Sequence, residues 1–211
     1  MFKFIKKTHK YYCGDIELPS VTSVLPYSFF GNDSEYNRDR GSKVHDMLYL
    51  YNMNDLDEDN LDTTLAKYLE GYKKFLKENR KPTGDIPKGL LDFKTGTPQK
   101  ADVLQLAAYA LLIREGVTAE GKKAELTYEE PLYHKTYMFA GTPDIVNVEW
   151  SGINKDVIVP FAMHCLYLNI DGGYKLSQDY SKDYRHNRDI FLNFLTVHQW
   201  KKNNGLLKGG K

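Results

Sequence analysis

The spacing of hydrophobic positions changes several times along this chain, and each change marks an element. Residues 1–18 alternate apolar and polar side chains around "CGD" (13–15), the pattern of a small hairpin with Gly14 and Asp15 in its turn. "LPSVTSVLPYSF" follows, with Ser20 set as an N-cap and Pro26 as the limit of a short helix. From Gly41, the residues Val44, Met47, Leu48 and Tyr51 recur at helical spacing, with His45 beside the stripe. The acidic run "NDLDEDNLD" (54–62) lacks the glycine and closing glutamate of an EF-hand loop, and reads as helix-start chemistry. The helix it starts runs over 61–80 and buries Leu61, Leu65, Leu69, Tyr72 and Leu76.

"KPTGDIPKG" breaks that pattern with two prolines and two glycines. The strand "LLDFKT" comes next, then the alanine- and leucine-rich helix "ADVLQLAAYALLIREG", with Gly116 at its C′ position. Beyond the loop "VTAEGKK", the stretches "AELTYEEPLYH" and "TYMFAGTPDIVNVEW" alternate as a β-hairpin of two long strands. After "SGINKD", "VIVPFAMHCLYLNI" is a further strand or pair of strands, and "DGGYKL" a turn into a short one. "DYRHNRDIFLNFLTVHQWKKNN" closes the chain as an amphipathic helix. These elements predict one α/β domain over residues 1–211, with a central mixed sheet flanked by helices. Its segments are 1–40 (N-terminal hairpin and short helix), 41–80 (helices), 88–116 (strand and helix), 125–150 (hairpin) and 156–205 (remaining strands and closing helix).

Composition narrows the function. With 41% hydrophobic and 27% charged residues in 211, the chain is long enough for one sizeable core. A net charge of +1 gives no whole-molecule field for nucleic acid, so such binding must come from local patches. Candidates are Lys3, Lys6, Lys7 and Lys10, then Lys73 and Lys74, then Lys201 and Lys202. Sixteen tyrosines suit a surface that stacks bases, although most will pack. Cys13 and Cys165 make neither a disulfide framework nor a cysteine-rich metal site. No run reaches the ~18 apolar residues of a membrane span, and the first residues hold no signal-peptide apolar core, so the expectation is a cytoplasmic protein with no membrane partner.

The chemistry gathers at a few polar residues inside apolar segments. On a strand, Asp92 and Lys94 share one face while Leu91 and Phe93 point into the core. Taken alone, the pair would be a salt bridge at a sheet edge. Its company suggests more. "GTPD" sets Asp144 on a second strand, after Gly141, where backbone can approach a ligand closely. His45 lies on the first long helix, and Gln105 and Tyr109 share a face of the helix after the Asp-x-Lys strand. Glu130, before Pro131, is a possible additional carboxylate. Two aspartates and an imidazole form a hard, oxygen-rich donor set that suits Mg²⁺ or Mn²⁺. A divalent ion there can activate water and neutralise charge developing on a phosphodiester, with Lys94 orienting the water or stabilising the transition state.

"GSKVH", "GTPD", "LLDFKTG" and "QLAAY", with "LPSVTSVL" ahead of them, resemble the motifs of the PD-(D/E)XK nuclease superfamily in its RecB-like and phage-exonuclease branch. The resemblance spans roughly residues 16–200. It implies a restriction-endonuclease-like core and a metal site of His45, Asp144 and Asp92, with the Phe93 carbonyl as an extra ligand. It also implies Lys94 as the catalytic lysine, and Gln105 and Tyr109 as residues that support the site or hold DNA. The implied reaction is metal-dependent hydrolysis of DNA, at single-stranded or duplex ends. The cysteines of the iron–sulfur members are missing, so no iron–sulfur cluster is expected. One feature departs from the family: its hairpin precedes the Asp-x-Lys strand, whereas here strand and helix (88–116) precede the hairpin (125–150). A natural or an engineered permutation would give this order, with polar, Gly-containing segments at the junctions. The expectation is that Asp92 and Asp144 still face one metal. The alternative is a DNA-binding or scaffold protein that keeps the fold but has lost turnover.

Overall fold

The computed structural model describes residues 1–29, 34–79, 88–151, 157–158 and 160–207. The first 18 residues form a three-stranded antiparallel meander of β1 (Phe2–Ile5), β2 (Lys10–Cys13) and β3 (Ile16–Leu18), in which β2 and β3 turn at Gly14 and Asp15. The expected hairpin is there, joined on its outer side by β1. Ser20 caps α1 (Val21–Val24) by accepting from the Ser23 amide at 3.1 Å. α2 (Glu35–Asn52) starts earlier than the apolar stripe from Gly41 suggests, because Ser34 accepts from the Asn37 amide and adds a polar turn ahead of Val44, Met47 and Leu48. Asp62 caps α3 (Thr63–Asn79) through the Thr64 and Leu65 amides, so the acidic run is helix-start chemistry.

β4 (Gly89–Lys94) leads into α4 (Lys100–Glu115). Gly116 ends this helix in extended rather than left-handed backbone. Glycine is required there for space: a Cβ would stand 2.5 Å from the Leu112 carbonyl and 2.9 Å from that of Tyr133. The expected pair of long strands is broken into β5 (Leu126–Tyr128), β6 (Leu132–His134), β7 (Phe139–Gly141) and β8 (Ile145–Asn147). One register runs throughout, since Tyr128 pairs with Ile145 and Leu132 with Gly141. Between these pairs stand Pro131 on one side and Pro143 on the other, and neither has an N–H to give the ladder. The outer half, β6–β7, therefore leaves the main sheet and packs against the N-terminal meander through Tyr133, Ala140, Phe2, Tyr11 and Leu18.

The remaining strands are β9 (Trp150–Ser151), β10 (Val157–Ile158), β11 (Met163–Leu168) and β12 (Tyr174–Leu176), and α5 (Tyr184–Asn203) closes the chain. The five-stranded mixed sheet has the order β12-β11-β4-β8-β5, with β4 and β11 parallel and the other pairs antiparallel. Leu91, Phe93, Leu166, Leu168 and Ile145 cover one face against α2 and α3. Leu90, Met163, Cys165, Tyr167 and Val146 cover the other against α1, α4 and α5. α4 lies between the sheet and α5 and is apolar on nearly every side, as a helix buried all round must be. The fold is mixed α/β, with helices on both faces of the sheet. Among the described residues, no helix is long and apolar enough to cross a membrane. The junctions "KPTGDIPKG" and "SGINKD" fall largely outside the described residues.

Candidate metal centre

β4 is the middle strand of five, which removes the sheet-edge account of Asp92 and Lys94. Both of its faces are core. Leu91 and Phe93 face α2 and α3, while Leu90, Asp92 and Lys94 face α4, so Asp92 is buried and Lys94 half-buried between sheet and helix. Asp92 is 2% exposed, and its Oδ2 lies 2.5 Å from Lys94 Nζ. Oδ2 has no partner besides that ammonium. Lys94 Nζ also donates to Gln105 Oε1 at 2.9 Å, and Gln105 Nε2 donates to the Tyr109 hydroxyl at 3.1 Å. Gln105 and Tyr109 are therefore buried links behind Lys94 rather than residues of the helix surface.

The last ladder pair between β4 and β8 is Leu91 with Ile145. One step further, Asp92 and Asp144 stand opposite each other, where cross-strand side chains are neighbours. Pro143 ends β8 there, and the Asp144 side chain takes over from its backbone: Oδ2 accepts from the Phe93 amide at 2.5 Å. The two peptide groups of a strand residue point to one side, so the Phe93 carbonyl is directed toward Asp144 as well. Asp144 Oδ1 meets His45 Nδ1 at 2.8 Å. α2 carries His45 over the end of β4, its ring edge-on to Phe93 at 6.0 Å.

Ligand atoms of His45, Asp144 and Glu129 lie within 4.8 Å of one another. Sequence reasoning missed Glu129 and singled out Glu130. In the hairpin register Glu129 is opposite Asp144, and its amide donates to the Asp144 carbonyl at 2.9 Å. Glu130 points instead into a surface depression with Glu120 and Lys122. Counting the hairpin register from the turn would have picked the right glutamate. Three residues of the N-terminal meander also reach the site. Lys6 pairs with Asp46 at 3.2 Å and Glu129 at 3.7 Å, the Tyr11 hydroxyl bonds Thr142 Oγ1 at 2.7 Å, and His9 bonds Tyr11 at 3.0 Å.

Charge separates the two aspartates. Burial pushes Asp92 up, Lys94 only partly offsets it and Asp144 adds to it, leaving its carboxyl at about 7. Burial would raise Asp144 too, but the imidazolium of His45 and the Phe93 amide hold it below the ordinary value. Burial disfavours a charged His45, yet Asp144 outweighs it and raises the imidazole to about 9. Glu129 is raised to about 7 by burial and by Asp144. Lys94, despite burial, is raised by Asp92 and stays an ammonium.

This donor set fits a small hard cation. Ligands on opposite sides of an octahedral Mg²⁺ stand about 4.2 Å apart, close to the observed spread, and one imidazole with two carboxylates is a hard set. Asp92, expected in the same ligand set, is not one of these three, and its Oδ2 is held by Lys94 instead. Gly141 does not bring backbone to a ligand. It admits the Tyr109 ring, since a Cβ there would stand 2.7 Å from Tyr109 Cε1 and 2.9 Å from Val21 Cγ2. Beside the centre, between α2 and the turn after β4, opens a cleft of about 460 Å³. Comparison with family models, with curated proteins and with solved structures finds no match to this chain.

Proposed function

We propose that this protein is a divalent-metal-dependent DNA exonuclease, built on a permuted PD-(D/E)XK core. The observation that carries the reading is the position of Asp144. Its carboxylate joins His45 and the Phe93 amide, one step across the sheet from the Asp92–Lys94 pair. The spatial order is that of a hairpin followed directly by an Asp-x-Lys strand, with β8 against β4, although the chain visits β4 first. Strand pairing depends on neighbours in space, so the exchanged order is compatible with the site.

His45, Asp144 and Glu129 would hold Mg²⁺ or Mn²⁺, with Asp92 and the Phe93 carbonyl at its margin. The ion would neutralise charge on a phosphodiester and polarise the attacking water. Lys94 remains protonated and is fixed by Asp92 and Gln105, so it supplies a positioned positive charge for the transition state rather than a base. Tyr109 holds Gln105, which holds Lys94.

The test is incubation of end-labelled single- and double-stranded DNA with and without Mg²⁺ or Mn²⁺. Shortening from an end that needs the metal and disappears in Asp144→Asn supports the reading. DNA binding by the folded protein without cleavage would replace it with the scaffold alternative.

A further inference from the structure

After Lys94, the chain runs through Thr95, Gly96 and Thr97 to Gln99, at the start of α4. This turn is one wall of the 460 Å³ cleft, and Arg40 and Asn37 of α2 form the other. His45 and Lys94 close its inner end, so the cleft opens directly off the proposed metal centre. Arg40 is half-buried. Its Nη2 donates to the Thr95 carbonyl at 3.1 Å, which fixes the guanidinium across the cleft. Its Nε is buried without a hydrogen-bond partner, and among the described residues Arg40 has no carboxylate within ion-pair distance.

Asp102 is the cleft's one acid among the described residues, and it is already engaged. Its Oδ2 accepts from the Tyr167 hydroxyl at 2.7 Å and from the Gln99 amide at 2.8 Å. Lys94 and His45 are engaged too, by Asp92 and Asp144, which leaves Arg40 as the cleft's one cation without a carboxylate among the described residues. Arg and Lys have no acceptor atoms, so a ligand that satisfies them must bring negative oxygens. A guanidinium offers a planar fork that matches phosphate. The volume suits one nucleotide unit and is too small for a duplex.

We infer that this cleft is a phosphate-binding subsite for a single nucleotide of the DNA strand, with Arg40 as its anchor. The identity of the ligand rests on the nuclease reading, whereas the anion preference follows from the cleft's own residues. Two phosphates share this chemistry: a terminal phosphomonoester and an internal phosphodiester.

The test uses the full chain in EDTA, so that nothing is cleaved. The probe is a short labelled single-stranded oligodeoxynucleotide carrying a 5′-phosphate, a 3′-phosphate or hydroxyl ends. Arg40→Gln should weaken binding by about tenfold and flatten the salt dependence by about 0.7 in log–log slope, the share of one phosphate contact on a single strand. Lys67→Gln, on the exposed face of α3, should change neither. Preferential loss for one phosphorylated end identifies a terminal phosphate, and equal loss for all three identifies an internal one. Asn37→Asp is a second variant that leaves Arg40 in place. It adds a carboxylate in the first turn of α2, where an acid favours the helix, yet it should weaken binding. Wild-type affinity and salt slope in both variants, or no oligonucleotide binding by the wild-type chain, would overturn the subsite. Metal-dependent cleavage with Arg40-independent binding removes the subsite alone. Arg40-dependent binding without cleavage removes the nuclease reading alone.

Discussion

The two faces of the central sheet are built from the same alternating strands, yet they differ in kind. Toward α2 and α3, the strands present leucine, phenylalanine and isoleucine packed on Tyr68, Tyr72 and Phe75. Toward α4, the same strands begin apolar with Leu90, Met163 and Val146, then turn polar at one end with Asp92, Lys94 and Tyr167 against Gln105, Asp102 and Tyr109. Buried charge is costly unless paired, so this end persists only as a linked network, whereas the first face needs no partner beyond good packing. The difference suggests a division of labour. One face supplies stability, and the polar end of the other holds the proposed metal centre at a cost in stability.

Substitutions can break that division. The largest expected effect on function is Asp144→Asn. Residues that merely orient metal ligands contribute about 10–100-fold, so loss of a proposed ligand whose carboxylate joins two partners should lower cleavage by more than about 100-fold. Calorimetric titration should show Mn²⁺ binding lost, with far-UV circular dichroism unchanged. Lys94→Met should remove cleavage and also destabilise the fold by roughly 3–5 kcal/mol, because it leaves Asp92 buried and unpaired. The double variant Asp92→Asn with Lys94→Met should recover most of that stability in urea unfolding and none of the activity. If the double variant is as unstable as the single one, the pair is not the source of the cost.

Phe75→Ala, on the apolar face, should act in the opposite sense. Phe75 is 1% exposed, and its truncation should cost roughly 3–5 kcal/mol while cleavage per folded molecule at low temperature stays near wild type. A matching loss of activity would show that the two faces are coupled.

The smallest effect is that of pH. His45 is raised to about 9, so its contribution to stability is complete below about 6.5, its ordinary value, and is lost as pH rises through about 9. Asp92 and Glu129, raised to about 7, add to the loss on the way up to neutrality. The metal-free protein should therefore melt at lower temperature at pH 9 than at pH 6.5. With His45 as a ligand, Mn²⁺ must displace its proton, so the ion's stabilising increment should grow over the same range. Thermal scans at three pH values with and without the ion measure both trends, and an increment that falls with pH would exclude His45 as a ligand.

Much of this was legible in the chain because it depends on local chemistry. Ser20 and Asp62 cap helices wherever the chain goes, and Val44, Met47 and Leu48 recur at helical spacing. The alternation that sets Asp92 and Lys94 on one side of a strand is a property of strands, so β4 was readable as well. The hairpin was readable in its register but not in its rupture, which needed Pro131 and Pro143 to fall at adjacent levels of the ladder. Glu129 was missed for the same reason: adjacent glutamates are chemically identical, and only the cross-strand partner distinguishes them.

By itself, then, the sequence determined the elements, the residue types able to bind a hard cation, and the order in which the chain visits them. Tertiary structure decided that Asp144 meets both His45 and the Phe93 amide, that Glu129 rather than Glu130 joins them, and that Lys94 is tied to Gln105. It also decided that Arg40 stands across a cleft, tied to the Thr95 carbonyl. The physical reason is range. Capping and periodicity act over three or four residues, whereas a charge responds to whatever the fold brings within a few ångströms, and His45 and Asp144 are 99 residues apart in the chain.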